Sequence, residues 1–323
     1  MDKNLLKNFA TESKIELTKK IETKIRNLLI NEKFEETQTG DIYYLKNNLH
    51  SLSMSSQDYQ KRKILIERIS KLGLNLVIEE ETFKWFNRII ALRYMEIHDY
   101  LPLTKNNESL GIRVLSSRDN TPIPEIMKFT NLINPELDIG FKKEKYVELK
   151  DDNEKFKYIL LLVCQKLGKV IPQVFGGTTD YIDILIPDYL LNETGFINKL
   201  VTEIPESNYE QVEIIGWLYQ YYNQIEKDKA MSKKRTYSKN EISYVTQLFT
   251  PDWIVKYLVE NSLGRYYIEH NSSCYSSIGD KFKYLIKENI DFQNKNINIE
   301  KITFFDPCCG SGHIIVYAFE IYF

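Results

Sequence analysis

Apolar residues recur through the first two-thirds of the chain mainly at the three- and four-residue spacing of helices. Ile15, Leu17, Ile21 and Ile25, followed by Leu28 and Leu29, predict an amphipathic helix with lysines on its other side. Residues 81–95, ETFKWFNRIIALRYM, predict a denser helix whose Trp85, Phe86, Ile89, Ile90 and Leu92 read as core rather than as ligand contacts. Pro102 ends that block, and LSSRDNTPIP at 115–124 reads as a surface loop. Helical patterns return around 155–167 and 208–225, with a turn, GGTTDY, at 176–181. No internal repeat is visible.

The pattern lapses at 227–241, KDKAMSKKRTYSKNE, which is polar, basic and without apolar periodicity. It reads as a linker between a helical front domain and something new. Lys233, Lys234, Arg235 and Lys239 suit a DNA backbone, but a solvated linker explains them more simply.

Beyond it, VTQLFTPDWIVKYLVENSLGRYY opens at Val245. Thr250 reads as a helix N-cap, Pro251 as the first helical residue and Asp252 as a complement to the positive helix end. Ile254, Val255, Leu258 and Val259 give one apolar face, and Gly264 a plausible stop. Capping alone accounts for Thr-Pro-Asp. Less ordinary is the short apolar approach Gln247-Leu248-Phe249, which would place Phe249 and the exposed amides of the first turn beside whatever lies next door.

The sharpest pattern is NINIEKITFFDPCCGSGHIIVYAFEIYF at the end. Ile302 to Phe305 predict a β-strand, Asp306 stands at its carboxyl end, Gly310-Ser311-Gly312 predict a tight turn, and His313 to Tyr322 an apolar helix. Strand, glycine loop and helix in this order form the ligand-binding edge of a parallel α/β sheet. Glycines let the backbone bend and approach a ligand, helix amides favour an anion, and Asp306 can accept hydrogen bonds from hydroxyls or an amine. A phosphate loop of the G-x-x-x-x-G-K-[ST] type is excluded, since no lysine follows, and only the first two glycines of G-x-G-x-x-G are present. The chemistry favours a zwitterionic methyl donor over a dinucleotide, with a ligand-free structural turn as the plainest alternative. Adjacent Cys308 and Cys309 read as small residues packing under the loop, since neighbouring cysteines rarely close a disulfide without strain.

Composition adds little. Acidic and basic residues nearly cancel, 45 against 43, for a net charge of −2, so bulk charge argues neither for nor against nucleic acid. A hydrophobic content of 43% suffices for a substantial core. Cys164, Cys274, Cys308 and Cys309 include no Cys-x-x-Cys pair and the four histidines are scattered, so neither a structural zinc site nor a disulfide framework is expected. The charged start lacks an apolar signal core, and the longest apolar run, YILLLVC at 158–164, is too short to span a bilayer. A cytoplasmic protein is expected.

FDPCCGSGH at 305–313 resembles motif I of the DNA adenine amino-methyltransferases, D-P-x-x-G-S-G, and QLFTPDWIV at 247–255 resembles their motif X. Motif X precedes motif I by about 50 residues, the order of the γ group, and the pair is far more specific than either alone. WFNRIIALRYMEIHDYLP at 85–102, EIIGWLYQYYN at 213–223 and TQLFTPDWIVKYLVENSLGR at 246–265 are further similar to the PglX-type methyltransferases of BREX phage-defence systems. The resemblance covers most of the chain from about Glu81 onward.

It implies a mainly helical amino-terminal domain (1–230), a basic linker (231–241) and the start of a Rossmann-like α/β methyltransferase domain (242–323). It further implies S-adenosylmethionine as cofactor, held by Asp306, Pro307, Cys308, Gly310, Ser311 and Gly312 on one side and by Phe249, Thr250 and Pro251 on the other. Double-stranded DNA would be the substrate, methylated at adenine N6 after base flipping, and other BREX proteins the partners. No catalytic residue is assigned. The family's N-P-P-[YF] motif does not occur, the sole Asn-Pro being Asn134-Pro135 followed by Glu136. An acidic ribose ligand is expected about 20 residues beyond the loop, whereas the sequence stops at Phe323, 17 residues past Asp306. The expectation is therefore a truncated enzyme, inactive alone. A fused restriction-modification enzyme and a non-catalytic binding module for DNA or partners are the alternatives. The first would carry a P-D-x(n)-[DE]-x-K nuclease motif, which neither Pro187-Asp188 nor Pro251-Asp252 begins.

Overall fold

The structure is a computed structural model describing residues 2–30, 32–101, 103–105, 108–128, 139–176, 181–210, 213–246, 248–293 and 295–322. Pro102, most of the 176–181 turn, Gln247 and the Asn134-Pro135 pair lie outside these residues. The chain divides into two compact units, Met1–Glu210 and Gln211–Phe323. The basic stretch 227–241 thus lies inside the second unit.

The first unit opens with α1 (Lys3–Asn27), whose start is capped by the Asp2 carboxylate accepting from the Asn4 and Leu5 amides. Leu6, Phe9, Ala10, Leu17, Ile21 and Ile25 are buried along one face. Ile15, expected on that face, is 47% exposed. At about 100° per residue it lies on the far side from Leu17.

Three antiparallel strands follow, β1 (Glu35–Thr39), β2 (Ile42–Lys46) and β3 (Ser51–Ser55), in the order β1-β2-β3. Gly40, at φ 61°, opens the two-residue turn between the first pair. This small sheet adds to a front region that is otherwise mainly helical, as expected. Its outer strand EETQT is exposed throughout and carries no apolar alternation, so only hydrogen-bonded pairing reveals it. Then come α2 (Ser56–Leu72) and α3 (Leu74–Ile97), joined at Gly73. Trp85, Phe86, Ile89, Ile90 and Leu92 of α3 are all buried, as the density of large side chains implies.

The short hairpin β4 (Thr104–Lys105) and β5 (Glu108–Ser109) leads to α4 (Glu125–Lys128). The intervening 115–124 segment is only partly a surface loop, because Leu115, Ser116, Ser117 and Pro124 are buried. Glu96, itself buried, explains this: its carboxylate accepts from the amides of Val114 and Leu115 and from the Ser116 hydroxyl, and pairs with buried Arg93 at 2.7 Å. The unit is completed by α5 (Lys143–Glu148), α6 (Asp152–Gly168), α7 (Pro172–Phe175) and α8 (Phe196–Thr202). Asp188 ties this part to α1 and α6 by accepting from Lys24 and Lys157.

The second unit contains α9 (Glu213–Tyr222), α10 (Gln224–Met231), α11 (Lys239–Thr246), α12 (Asp252–Val259), α13 (Arg265–His270) and α14 (His313–Tyr322). A π-type turn, Glu260–Gly264, joins α12 to α13 without interrupting the helical path. Gly264 is therefore not the expected stop. Its backbone is helical (φ −60°, ψ −50°), and a Cβ there would stand 2.7 Å from the Phe282 ring. The residue is small for packing, not for termination.

Val255, Val259, Leu263 and Ala318 form the core of this unit, flanked by Ile302, Phe304, Ile314, Tyr317, Ile321 and Tyr322. Leu258, expected on the buried face of α12, is 45% exposed. Buried Glu260 accepts from the Tyr284 amide at 2.6 Å and the Tyr317 hydroxyl at 2.9 Å, fastening α14 to the π-type turn. Burial and that hydrogen bond push the Tyr317 phenol above its ordinary range.

Ile302–Phe305 does not form the expected strand. The backbone before Asp306 has no ladder partner, and the sheets among the described residues are confined to the first unit. A strand exists only when a neighbour takes up its N–H and C=O groups. Among the described residues no segment does so. The alternation survives nonetheless: Ile302 and Phe304 pack inward while Phe305 is 84% exposed.

Candidate cofactor-binding site

The residues singled out from the sequence form two groups in the second unit, and the structure joins them. The first precedes α12. Phe249 is buried; its amide donates to Gln220 Oε1 at 2.6 Å, and its ring meets Trp217 edge-on at 5.0 Å. Both partners belong to α9, whose Gly216 allows the approach, since a Cβ there would fall 2.0 Å from the Phe249 ring. Thr250 is not the N-cap. Pro251, with an extended ψ of 143°, occupies the cap position without a side-chain hydrogen bond, and Asp252 is the first helical residue. A proline locked near φ −65° accepts either ψ, and here the helix starts one residue late.

The second group is the glycine loop. Asp306 Oδ1 accepts from the Cys308 amide at 2.9 Å, closing an Asx turn. Its Oδ2 is buried without a hydrogen-bond partner. Gly310 and Gly312 have φ of 52° and 82°, a left-handed backbone that side chains resist. The Gly312 amide donates to the Cys309 carbonyl at 2.7 Å, and α14 starts at once. Pro307, Cys308, Gly310 and Ser311 are exposed, and Asp306 and Gly312 half-buried. Cys308 and Cys309 are both free and exposed, which corrects the view that they pack beneath the loop: the Asx turn at Asp306 holds them at the surface with their flanking residues Pro307 and Gly310.

His313 links the groups. Its ring lies parallel to Phe249, with centroids 4.7 Å apart, and its Nδ1 lies 3.0 Å from the Thr250 carbonyl oxygen. A carbonyl only accepts, so Nδ1 carries the proton. Nε2 faces Glu213 Oε1 at 4.0 Å. The sequence thus singled out Phe249, Thr250 and the loop, but missed His313, Gly216 and Gln220 as the parts that hold them. A lone glycine inside the helical pattern at 216 was the available signal, since such glycines usually mark close packing.

What the arrangement offers is an exposed glycine loop, one carboxylate oxygen unused, and open space beside both glycines. A Cβ on Gly312 would meet nothing within 4 Å, and one on Gly310 would meet only the Cys308 carbonyl at 3.8 Å. The chain is 36% identical to the adenine-specific methyltransferase PglX of Lacticaseibacillus casei (strain Zhang), in a match covering 99% of this chain and 29% of that protein. It is 34% identical to the adenine-specific methyltransferase BrxX of Escherichia coli O9:H4 (strain HS), covering 81% of this chain and 22% of that protein. This chain belongs to the family of PglX-type adenine-specific methyltransferases. It spans less than a third of the length of these two curated relatives. No family profile matches the chain. Among the described residues, no helix is long and apolar enough to cross a membrane.

Proposed function

We propose that this chain is the portion of an adenine-N6 DNA methyltransferase that holds S-adenosylmethionine, with double-stranded DNA as substrate and other BREX proteins as partners. The carrying observation is the Asp306 carboxylate. It stands at the mouth of the glycine loop with Oδ2 buried and unpaired, and a buried polar atom without a partner costs about 1–3 kcal/mol. A cationic amine such as that of the cofactor's methionine end would satisfy it.

The donor set fits that group. The amides around Gly310, Ser311 and Gly312 lead into α14, where the positive helix end favours a carboxylate. Phe249, Thr250 and Pro251 close the other side, positioned through His313. Pro307 and Cys308 shape the approach between them. S-adenosylmethionine supplies the methyl group; the residues of this chain bind and orient it. Adenine capture is not assigned to any residue here, because the sequence holds no N-P-P-[YF] segment. The same family grounds extend the Rossmann-like reading to 242–323. They also support the cytoplasm as the place of action.

Calorimetric titration of S-adenosylmethionine into the 323-residue chain tests the reading. Saturable binding that Asp306→Ala weakens at least tenfold is expected, with no transfer of labelled methyl groups to DNA. Binding unaffected by Asp306→Ala would remove the assignment, and methyl transfer by the chain alone would refute its inactivity.

A further inference from the structure

We propose that Glu213, Asp252 and His313 form a site for one divalent metal cation. They are the first residues of α9, α12 and α14, and one ligand atom from each lies within 4.8 Å of the others. Three helices of the second unit therefore begin at a single point.

The orientation of the imidazole carries the argument beyond proximity. With Nδ1 held on the Thr250 carbonyl, the ring turns Nε2 toward the Glu213 carboxylate at 4.0 Å. That separation is too long for a hydrogen bond, so Nε2 and the carboxylate face one another across a gap that a cation would bridge. Fixing one ring nitrogen on a backbone carbonyl is also how proteins orient histidines that bind metals through the other. The structure supplies that second contact ready-made.

The surroundings suit a cation of this kind. His313 and Glu213 side chains are only 9% and 14% exposed, whereas Asp252 is 42% exposed. Two ligands are thus withdrawn from water and the third faces it, where water molecules complete the coordination. Lys256 holds Asp252 Oδ2 at 2.8 Å, leaving the second oxygen of that carboxylate for the cation. One nitrogen and two oxygens suit Mn²⁺, Fe²⁺ or Zn²⁺ better than Ca²⁺, which prefers an all-oxygen shell. Metal–ligand bonds of about 2.0–2.2 Å require the three side chains to draw together through small torsional changes. A bound ion would then pin the Phe249–Pro251 stretch and the glycine loop to α9, a role independent of whether the loop takes S-adenosylmethionine.

The test is titration of MnCl2 alone into the metal-free 323-residue chain, following the electron paramagnetic resonance signal of free Mn²⁺. One ion per chain is expected, with binding weakened at least tenfold in Glu213→Gln and in Asp252→Asn and unchanged in Cys308→Ser/Cys309→Ser. Circular dichroism establishes that the variants fold. Should they not, the ¹⁵N shift of His313 Nε2 in the parent chain decides: movement on adding Zn²⁺ supports the site. No saturable binding, binding indifferent to both carboxylate variants, or a metal-insensitive imidazole protonated on both nitrogens at neutral pH overturns it.

Discussion

The rings of Phe249 and His313 lie 4° from parallel with their centroids 4.7 Å apart. Sixty-four positions separate them in the sequence, and this stack is where the residues ahead of α12 meet the start of α14. Because the same imidazole also donates to the Thr250 carbonyl, it fixes both the ring and the backbone of its partner segment.

His313→Ala is expected to lower the stability of the second unit by about 1–3 kcal/mol, from the lost ring pair and hydrogen bond together. His313→Phe restores the stack but not the bond, so its loss should be smaller. Urea denaturation followed by tryptophan fluorescence measures both, since Trp217 touches the Phe249 edge. Equal losses in the two variants would show that the stack contributes nothing.

Gly216→Ala tests the other face of Phe249. Alanine is the better helix former by about 1 kcal/mol, yet its Cβ would stand 2.0 Å from the ring. Overpacking of this kind costs about 1–3 kcal/mol. The variant should be destabilised and should shift Trp217 emission. A more stable protein with unchanged emission would mean that the ring has room to move aside.

In the first unit, Glu96→Ala is expected to cost about 3–5 kcal/mol, because it leaves buried Arg93 with only the half-exposed Glu206 as ionic partner and removes the acceptor for the Val114 and Leu115 amides. Hydrogen exchange should show the 114–117 backbone opening first. A loss below about 1 kcal/mol, the scale of a surface ion pair, would mean that water or another group replaces the carboxylate.

Glu241 gives a pH signature. Its carboxylate accepts from Lys233, from the Ser238 amide and from Arg235, and the Lys233 hydrogen bond, followed by those from Ser238, brings its pKa down to about 2. A carboxylate with a depressed folded pKa stabilises above its ordinary value, 4.5, and loses that contribution as pH falls toward 2. The melting temperature of Glu241→Gln should therefore lie below the parent's at pH 7 and converge with it near pH 2. A difference that persists at pH 2 would assign the effect to something other than charge.

Two kinds of feature were legible in the sequence. Local steric rules made one kind visible: the glycine pair needs left-handed backbone and adopts it at both positions, and α14 runs over the residues that the apolar run implied. Burial made the other, since Trp85, Phe86, Ile89, Ile90 and Leu92 can hide together on one helix only by facing the core. The front sheet was not legible, because the polar strand Glu35–Thr39 leaves no hydrophobic alternation to read. Nor were Gly264 and Thr250. Phe282, eighteen residues on, packs where the Cβ of residue 264 would be, and the ψ of Pro251 sets where α12 starts.

By itself, then, the sequence determined which segments could be helices and where the backbone had to turn left-handed. Those properties follow from torsional sterics and apolar spacing, which act over a few residues. Only the tertiary structure decided that Glu213, Asp252 and His313 share one point, that Phe249 is held by Gly216, Gln220 and His313, and that Glu96 draws a loop into the core. Such relationships depend on how whole helices pack, and packing is settled by contacts among residues far apart in the chain, which no local pattern encodes.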